Sequence, residues 1–339
     1  MKKIIIDTDT ASDDAVALVA ALRDPTLQVL AVTAVAGNVE LPLAVKNALL
    51  SVERAGTYRP PVYVGAAGPL LCELETADQI HGADGMGDLG TLGEPTLAPT
   101  PGHGADALAR YAGEGDGEVE LLTLGPLTNV ALAIRKHPEA MRKLRHITIM
   151  GGAHPYHNPH TVCAEFNIMV DPEAAQIVFS FGVPITLVTL EACGGAAELD
   201  DAAMERMRGT GEIGRFCVDC NRTLTELARA QGGVPSLGLP DPAALAVLAR
   251  PELIRESFPA HTRVETQGEF TRGPPSSASP ATSIPPHLGT SPRRKTPWWS
   301  PALTWRASTS TSSTGSPSKA PPLRRGAFAV VRARPLSAV

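Results

Sequence analysis

Four carboxylates fall within eight positions near the start of the chain: Asp7, Asp9, Asp13 and Asp14, in Ile4-Ile5-Ile6-Asp7-Thr8-Asp9-Thr10-Ala11-Ser12-Asp13-Asp14-Ala15. Unbalanced, such a group repels itself and raises its own pKa values, which implies a cation among them. Hard oxygen donors at this density suit calcium or magnesium better than zinc or copper. An EF-hand is excluded, because the loop lacks the central Gly and the terminal Glu. Asp7 and Asp9 stand together at the end of a β-branched run, one read as facing a crevice and the other as bracing the network of the turn. Asp13 and Asp14 sit where a helix-like pattern begins, and the helix dipole alone could account for them. It does not account for the strand-end pair.

More polar groups recur where later strand-like runs end. Gly37-Asn38 follows a second run and is either a turn or part of the same crevice. His81-Gly82-Ala83-Asp84-Gly85-Met86-Gly87 is a glycine-rich loop with a histidine and an acid, a candidate mobile substrate lid. Leu124-Gly125-Pro126-Leu127-Thr128-Asn129 joins a strand to a helix and turns the Leu124 carbonyl toward the crevice. Ala164-Glu165-Phe166-Asn167 follows a loop holding His154, His157, Asn158 and His160. In an extended segment Glu165 and Asn167 point the same way, which suits a polyol. Asp241, in Leu239-Pro240-Asp241-Pro242, stands immediately before a helix, where N-capping would explain it without any other role. Cys217-Val218-Asp219-Cys220 has neither a second pair nor a redox context and reads as coincidence on a helix.

Positioning these groups requires alternating elements. Strand-like runs cover 3–7, 27–36, 61–64, 118–124, 144–150 and 184–190. Helix-like segments cover 13–23, 40–55, 103–113, 127–137, 172–181, 199–208, 213–231 and 241–249. Such alternation predicts an α/β fold: an open, mostly parallel, doubly wound, Rossmann-like sheet with helices on both faces. Ligands of such sheets bind beyond the carboxyl ends of the strands, where Asp7 and Asp9 lie.

The 339 residues are 43% apolar, enough for a large core. Met1-Lys2-Lys3 leads straight into the first strand without a signal-peptide pattern, and no apolar stretch approaches the roughly 20 residues that span a bilayer. The five cysteines are too few and scattered for a disulfide framework. A reduced, cytoplasmic protein with no membrane partner is expected. The net charge of −5 hides a partition, because all 35 acidic residues lie at or before Glu269. Residues 1–270 are therefore strongly acidic, which argues against non-specific nucleic-acid binding. Residues 271–339 hold 12 of the 31 prolines and all three tryptophans, without sustained periodicity. This segment reads either as a disordered Pro/Ser/Thr/Arg-rich tail or as an out-of-frame translation, separate from a domain over 1–270.

Taken together, the motifs resemble the inosine–uridine-preferring nucleoside hydrolase family over residues 1 to about 270. The resemblance rests on Asp7-Thr8-Asp9-x-x-x-Asp13-Asp14-Ala15-x-Ala17, followed in order by Gly37-Asn38, the His81–Gly87 loop, Gly125-Pro126-Leu127-Thr128-Asn129, Met150-Gly151-Gly152, Ala164-Glu165-Phe166-Asn167 and Asp171-Pro172-Glu173. It implies Ca²⁺-dependent hydrolysis of ribonucleosides to ribose and nucleobase, in purine or pyrimidine salvage, by a homo-oligomer (dimer or tetramer). Asp9, Asp14, Asp241 and the Leu124 carbonyl are the implied Ca²⁺ ligands, with Asp9 also the general base. Asp13, Asn38 and Asn167 are implied to hold ribose hydroxyls, with Glu165 and Asn158 on the 5′ side. Met150 is implied to line the ribose pocket, and His81 to border the nucleobase as a catalytic candidate.

The chain departs from the family pattern in four places, one of them the segment Glu191-Ala192-Cys193-Gly194-Gly195, which fits poorly. Pro240 stands where many members carry a histidine, the usual leaving-group acid; either His81, His154, His157 or His160 substitutes for it, or the base leaves without a dedicated acid. Pro159 stands where the family often has Asn, with Asn158 one place away. The family's final strand and helix are not matched by the residues after 270. Two other readings of the residues remain: a haloacid dehalogenase-type phosphatase, whose motif Ala11 breaks, and a Ca²⁺-dependent ribose or nucleoside binder without catalysis.

Overall fold

Ile4, Ile5 and Ile6 are fully buried, so the strand that carries them is covered on both faces, as the centre of a parallel sheet must be. In the computed structural model this strand is β1 (Lys2–Thr8). The structure describes residues 1–152, 164–194, 197–230, 236–268, 272–273, 275–278 and 328–333. The remaining strands are β2 (Leu27–Ala34), β3 (Val62–Val64), β4 (Thr100–His103), β5 (Glu120–Thr123), β6 (His146–Met150), β7 (Ile185–Val188), β8 (Leu199–Asp200), β9 (Ser236–Leu237), β10 (Ile254–Val264), β11 (Pro275–Ala278) and β12 (Phe328–Ala333). The helices are α1 (Ser12–Arg23), α2 (Leu41–Ala55), α3 (Asp78–His81), α4 (Gly104–Glu114), α5 (Thr128–Lys136), α6 (Pro138–Met141), α7 (Phe166–Val170), α8 (Pro172–Phe179), α9 (Asp201–Gly209), α10 (Glu212–Asp219), α11 (Arg222–Ala230) and α12 (Pro240–Ala249).

The main sheet has ten strands in the order β11-β10-β12-β7-β6-β5-β1-β2-β3-β4, and β8 pairs with β9 in a separate ribbon. From β12 through to β4 every neighbouring pair is parallel, while β10 runs antiparallel to both β12 and β11. The chain builds outward from β1 to β4 on one side, then returns and builds outward from β5 to β7 on the other. The order therefore reverses between β1 and β5, and the crevice at that switch point is where a doubly wound sheet binds its ligand. Strand alternation divides the core between the two faces. Ile4 and Ile6 pack with Leu18, Leu49, Leu245 and Leu248 on one face, whereas Ile5 packs with Leu108, Val130, Ile147 and Val178 on the other.

Several expected elements are redrawn. The single helix over 213–231 is two, α10 and α11, broken at Asn221, whose Nδ2 donates to the Cys217 carbonyl at 3.0 Å and diverts it from the helix. The Gly87 backbone packs into this break, since a Cβ there would lie 2.7 Å from the Cys220 carbonyl oxygen. The strand over 184–190 ends at Val188, and the chain turns into a short helical turn, Leu190–Ala192. Sequence patterning misses β4 and β10, both toward the edges of the sheet and both interrupted by a proline (Pro101 and Pro259), a residue that edges tolerate. Among the described residues no helix is long and apolar enough to cross a membrane.

One buried amide ties the switch point together. Asn129, at the start of α5, accepts from the Ala66 N–H at 2.8 Å and donates to Asp7 Oδ1 at 2.8 Å and to the Ala34 carbonyl at 3.0 Å. It thereby joins α5, the loop after β3, the end of β2 and β1. Asn129→Ala removes three buried hydrogen bonds and is expected to destabilise the fold by about 3 kcal/mol, at about 1 kcal/mol per bond. Urea unfolding checks this, and a loss below about 0.5 kcal/mol would show that the node is dispensable.

Candidate active site

Asp9 leaves the end of β1 fully buried and wedged between two glycine backbones. A Cβ on Gly37 would lie 2.1 Å from Asp9 Oδ2, and one on Gly125 would lie 2.5 Å from Oδ1. Those two glycines begin the turns after β2 and β5, so the neighbouring strands grip the carboxylate from both sides. Asp9 Oδ2 accepts from the Asn38 backbone N–H at 2.7 Å, while Oδ1 is buried without a protein partner. Asp7, two residues earlier, has different partners. Its Oδ1 accepts from Thr33 Oγ1 at 2.5 Å and from Asn129 at 2.8 Å, and burial pushes its pKa up to about 7. Asp7 braces the strand ends.

The first turn of α1 supplies the next two acids. Asp14 Oδ2 accepts from the Ala11 N–H at 3.0 Å, one arm of a capping box, and Oδ1 accepts from Thr8 Oγ1 at 2.6 Å. The Asn38 side chain adds a longer contact to Asp14 Oδ2 at 3.4 Å. Asp241 is not the N-cap that its position suggested. Leu239 holds that position, and Asp241 lies inside α12, buried, with no capping hydrogen bond. Helix termination therefore does not explain it. Asp13, Asp14 and Asp241 each bring one oxygen to within 4.8 Å of the others, the geometry of a metal site.

Burial dominates the electrostatics. It pushes Asp13 up to about 6, and burial together with the Asp13 charge pushes Asp14 up to about 6. Asp9 is raised well above its ordinary value, first by burial and then by the Asp14 charge. Asp241 is raised well above its ordinary value by burial and by Asp13, Asp14 and Asp9. These residues fit a hard divalent cation: all donors are oxygen, all are buried, and Asp9 Oδ1 is an orphan lone-pair site.

A cavity of about 380 Å³ opens above the acids, within the range of small-molecule sites. Asp13, Asn38, His81, Leu124, Met150, Glu165, Asn167 and Asp241 all line it. Asp9 and Asp14 lie beneath this lining. Asn158, with His154, His157 and His160, falls outside the described residues. Glu165 and Asn167 do not form an extended pair. Glu165 caps α7 instead, its Oε1 accepting from the Asn167 N–H at 3.0 Å and its Oε2 from Gly152 at 2.9 Å and Ile168 at 3.3 Å. The segment turns helical because the carboxylate satisfies those N–H groups. Asn167 Nδ2 then donates to the Leu124 carbonyl at 2.7 Å and, less closely, to the Met150 carbonyl at 3.3 Å.

His81 ends α3 as a buried wall residue, with Nδ1 2.7 Å from Ser12 Oγ and 3.9 Å from Asp13 Oδ1. Burial lowers its pKa to about 4, against the pull of Asp14. The loop after it is packed rather than flap-like: Met86 is fully buried, and Asn47 Nδ2 donates to the Asp84 carbonyl at 3.0 Å. Ser12 and the glycine cradle were missed by sequence reasoning. The signal for the cradle was a glycine directly after each strand flanking β1.

Comparison with known proteins finds a family and several relatives. A model of the family described as inosine-uridine preferring nucleoside hydrolase matches residues 4–287. The pyrimidine-specific ribonucleoside hydrolase RihA of Salmonella typhimurium is 39% identical over 272 residues, covering 80% of this chain and 86% of the relative. Among solved structures, the plant nucleoside hydrolase PpNRh1 superposes with a TM-score of 0.80 at 29% identity, covering 97% of this chain and 93% of the other. A purine-preferring ribonucleoside hydrolase from Gardnerella vaginalis superposes with a TM-score of 0.75 at 29% identity, covering 82% and 88%.

The raised carboxyl pKa values set a sign for stability in chelator. A carboxyl whose folded pKa rises from 3.8 to about 6 binds more protons folded than unfolded. Its contribution is full below the unfolded value and is lost as pH rises through the folded one. His81, lowered to about 4, works in the opposite sense over an overlapping window, but it is one group against the aspartate cluster. Metal-free protein is expected to lose stability between about pH 4 and about pH 6.5, and Ca²⁺ to restore it at the upper end. Urea midpoints with and without chelator measure this. A chelated protein that grows more stable across that range would contradict the assignment.

Proposed function

The chain belongs to the inosine-uridine preferring nucleoside hydrolase family, and from that premise we propose that its buried aspartates bind Ca²⁺ beneath a ribose pocket. The protein is an enzyme that hydrolyses the N-glycosidic bond of ribonucleosides, releasing ribose and the free nucleobase. The observation that carries the site assignment is the burial of Asp9, Asp13, Asp14 and Asp241 at one switch point, under a cavity lined by Asn38, Glu165 and Asn167.

Asp9, Asp14, Asp241 and the Leu124 carbonyl are the oxygens that would hold the ion. A bound Ca²⁺ supplies a Lewis-acid charge that lowers the pKa of water and orients it. Asp9, gripped between Gly37 and Gly125, would accept the proton of the attacking water. Asp13, Asn38 and Asn167 hold the ribose hydroxyls, and Glu165 closes the 5′ side. As the bond to the base breaks, positive charge builds on the ribose ring, and the ring of carboxylates stabilises it. His81 borders the nucleobase and meets the charge developing on it. Among the described residues lining the cavity there is no Lys or Arg, so a phosphate would find no cationic side chain, which favours nucleosides over phosphorylated substrates.

With Ca²⁺ present, the purified protein is expected to release ribose from a ribonucleoside, and Asp9→Ala to lower kcat by about 10³-fold. Asp241→Asn should weaken Ca²⁺ binding, measured by calorimetry, by at least about tenfold. Ribose binding without turnover by metal-loaded protein would reduce the molecule to a binding module.

A further inference from the structure

We propose that Ser12 is a positioning residue for the leaving-group side of the reaction, because its hydroxyl fixes which nitrogen of His81 faces the nucleobase. The inference rests on the hydrolase assignment above and goes beyond it. Ser12 opens α1 and is fully buried, and its Oγ lies 2.7 Å from His81 Nδ1. Among the described residues lining the pocket, His81 is the only imidazole, and no Lys, Arg or Tyr joins it. The other N–H groups there that could meet a base belong to amides.

A neutral imidazole carries one N–H, and the partner of one nitrogen decides where it sits. Asp13 Oδ1, at 3.9 Å from Nδ1, is beyond hydrogen-bond range, so it does not compete for that nitrogen. When the Ser12 hydroxyl donates to Nδ1, the ring proton resides on Nε2, the nitrogen left to donate to a ligand. As the C–N bond breaks, its electron pair moves onto the base, and the Nε2–H hydrogen bond steadies that charge without giving up its proton. The oxygen of the water consumed goes to C1′ of ribose, and its protons end on ribose and base, so the reaction balances. Ser12 and Asp13 are consecutive, and one helix start thus sets both the ring that meets the base and the carboxylate that holds the sugar.

The test compares uridine with 4-nitrophenyl β-D-ribofuranoside, whose leaving group departs as a stabilised phenolate and needs little help. Ser12→Ala is expected to lower kcat on uridine by about tenfold with little change in KM, and to lower kcat on the nitrophenyl riboside several-fold less. Added to His81→Ala, it should cause no further selective loss on uridine, because the residue acts through that ring. Ser12→Thr, which keeps the hydroxyl, should recover the uridine rate. Equal losses on both substrates, or additive losses in the double variant, would make Ser12 a structural brace and overturn the proposal. Turnover of uridine by the unaltered enzyme is the separate control. If the unaltered enzyme turns over neither uridine nor inosine, the hydrolase assignment falls first, whereas a failed selectivity pattern leaves that assignment standing.

Discussion

A carboxylate taken out of water loses several kcal/mol of solvation even after the protein relaxes around it, and here Asp9, Asp13, Asp14 and Asp241 lose it in the same place. Hydrogen bonds recover part of it: Asn38 donates its N–H to Asp9, while Thr8 and Ala11 donate to Asp14. They do not recover all of it. Asp9 Oδ1 stays unpartnered, and Asp9, Asp13 and Asp14 each raise the pKa of at least one neighbour. Either protons or a cation must settle the balance. A site that works near neutral pH needs its carboxylates ionised, which selects the cation.

That electrostatic demand is met by the backbone packed around the switch point. A cluster that repels itself opens unless the backbone holds it. The grip comes from strands on both sides of β1: β2 delivers Gly37 and Asn38, and β5 delivers Leu124 and Gly125. Asn129 and Asp7 tie these strand ends together underneath. Asp241 arrives from α12, more than two hundred residues after Asp9 in the chain, so the site closes only when the far end of the sheet-and-helix layer has docked.

How much of this was legible in the sequence depended on whether the signal was local. Ile4-Ile5-Ile6 followed by Asp7-Thr8-Asp9 declares a central strand with acids at its carboxyl end, and the structure keeps that. Leu124, Met150 and Asn38 were legible because each directly follows or ends a recognisable strand. The misreadings have physical causes. Asp241 beside two prolines looks like a cap, and only packing shows the helix beginning one residue earlier. Glu165 and Asn167 look extended because nothing local says that the carboxylate will turn back onto its own helix. Strands β4 and β10 draw their pairing from neighbours rather than from their own alternation. Ser12 was invisible because its partner lies 69 residues away and serine at a helix start is ordinary.

The start of α1 shows why the spacing of this motif leaves no slack. Successive residues on a helix project about 100° apart. Ser12, Asp13 and Asp14 therefore face three different directions: toward His81, into the pocket, and back onto Thr8 and the strand end. Inserting or deleting one residue before Ser12 would rotate all three at once. The His81 contact, the pocket carboxylate and the link to Thr8 would be lost together, although the composition of the segment would hardly change. The motif encodes a rotation as much as a set of side chains, and that rotation is anchored at Ala11, where the helix begins and the Asp14 carboxylate closes the turn.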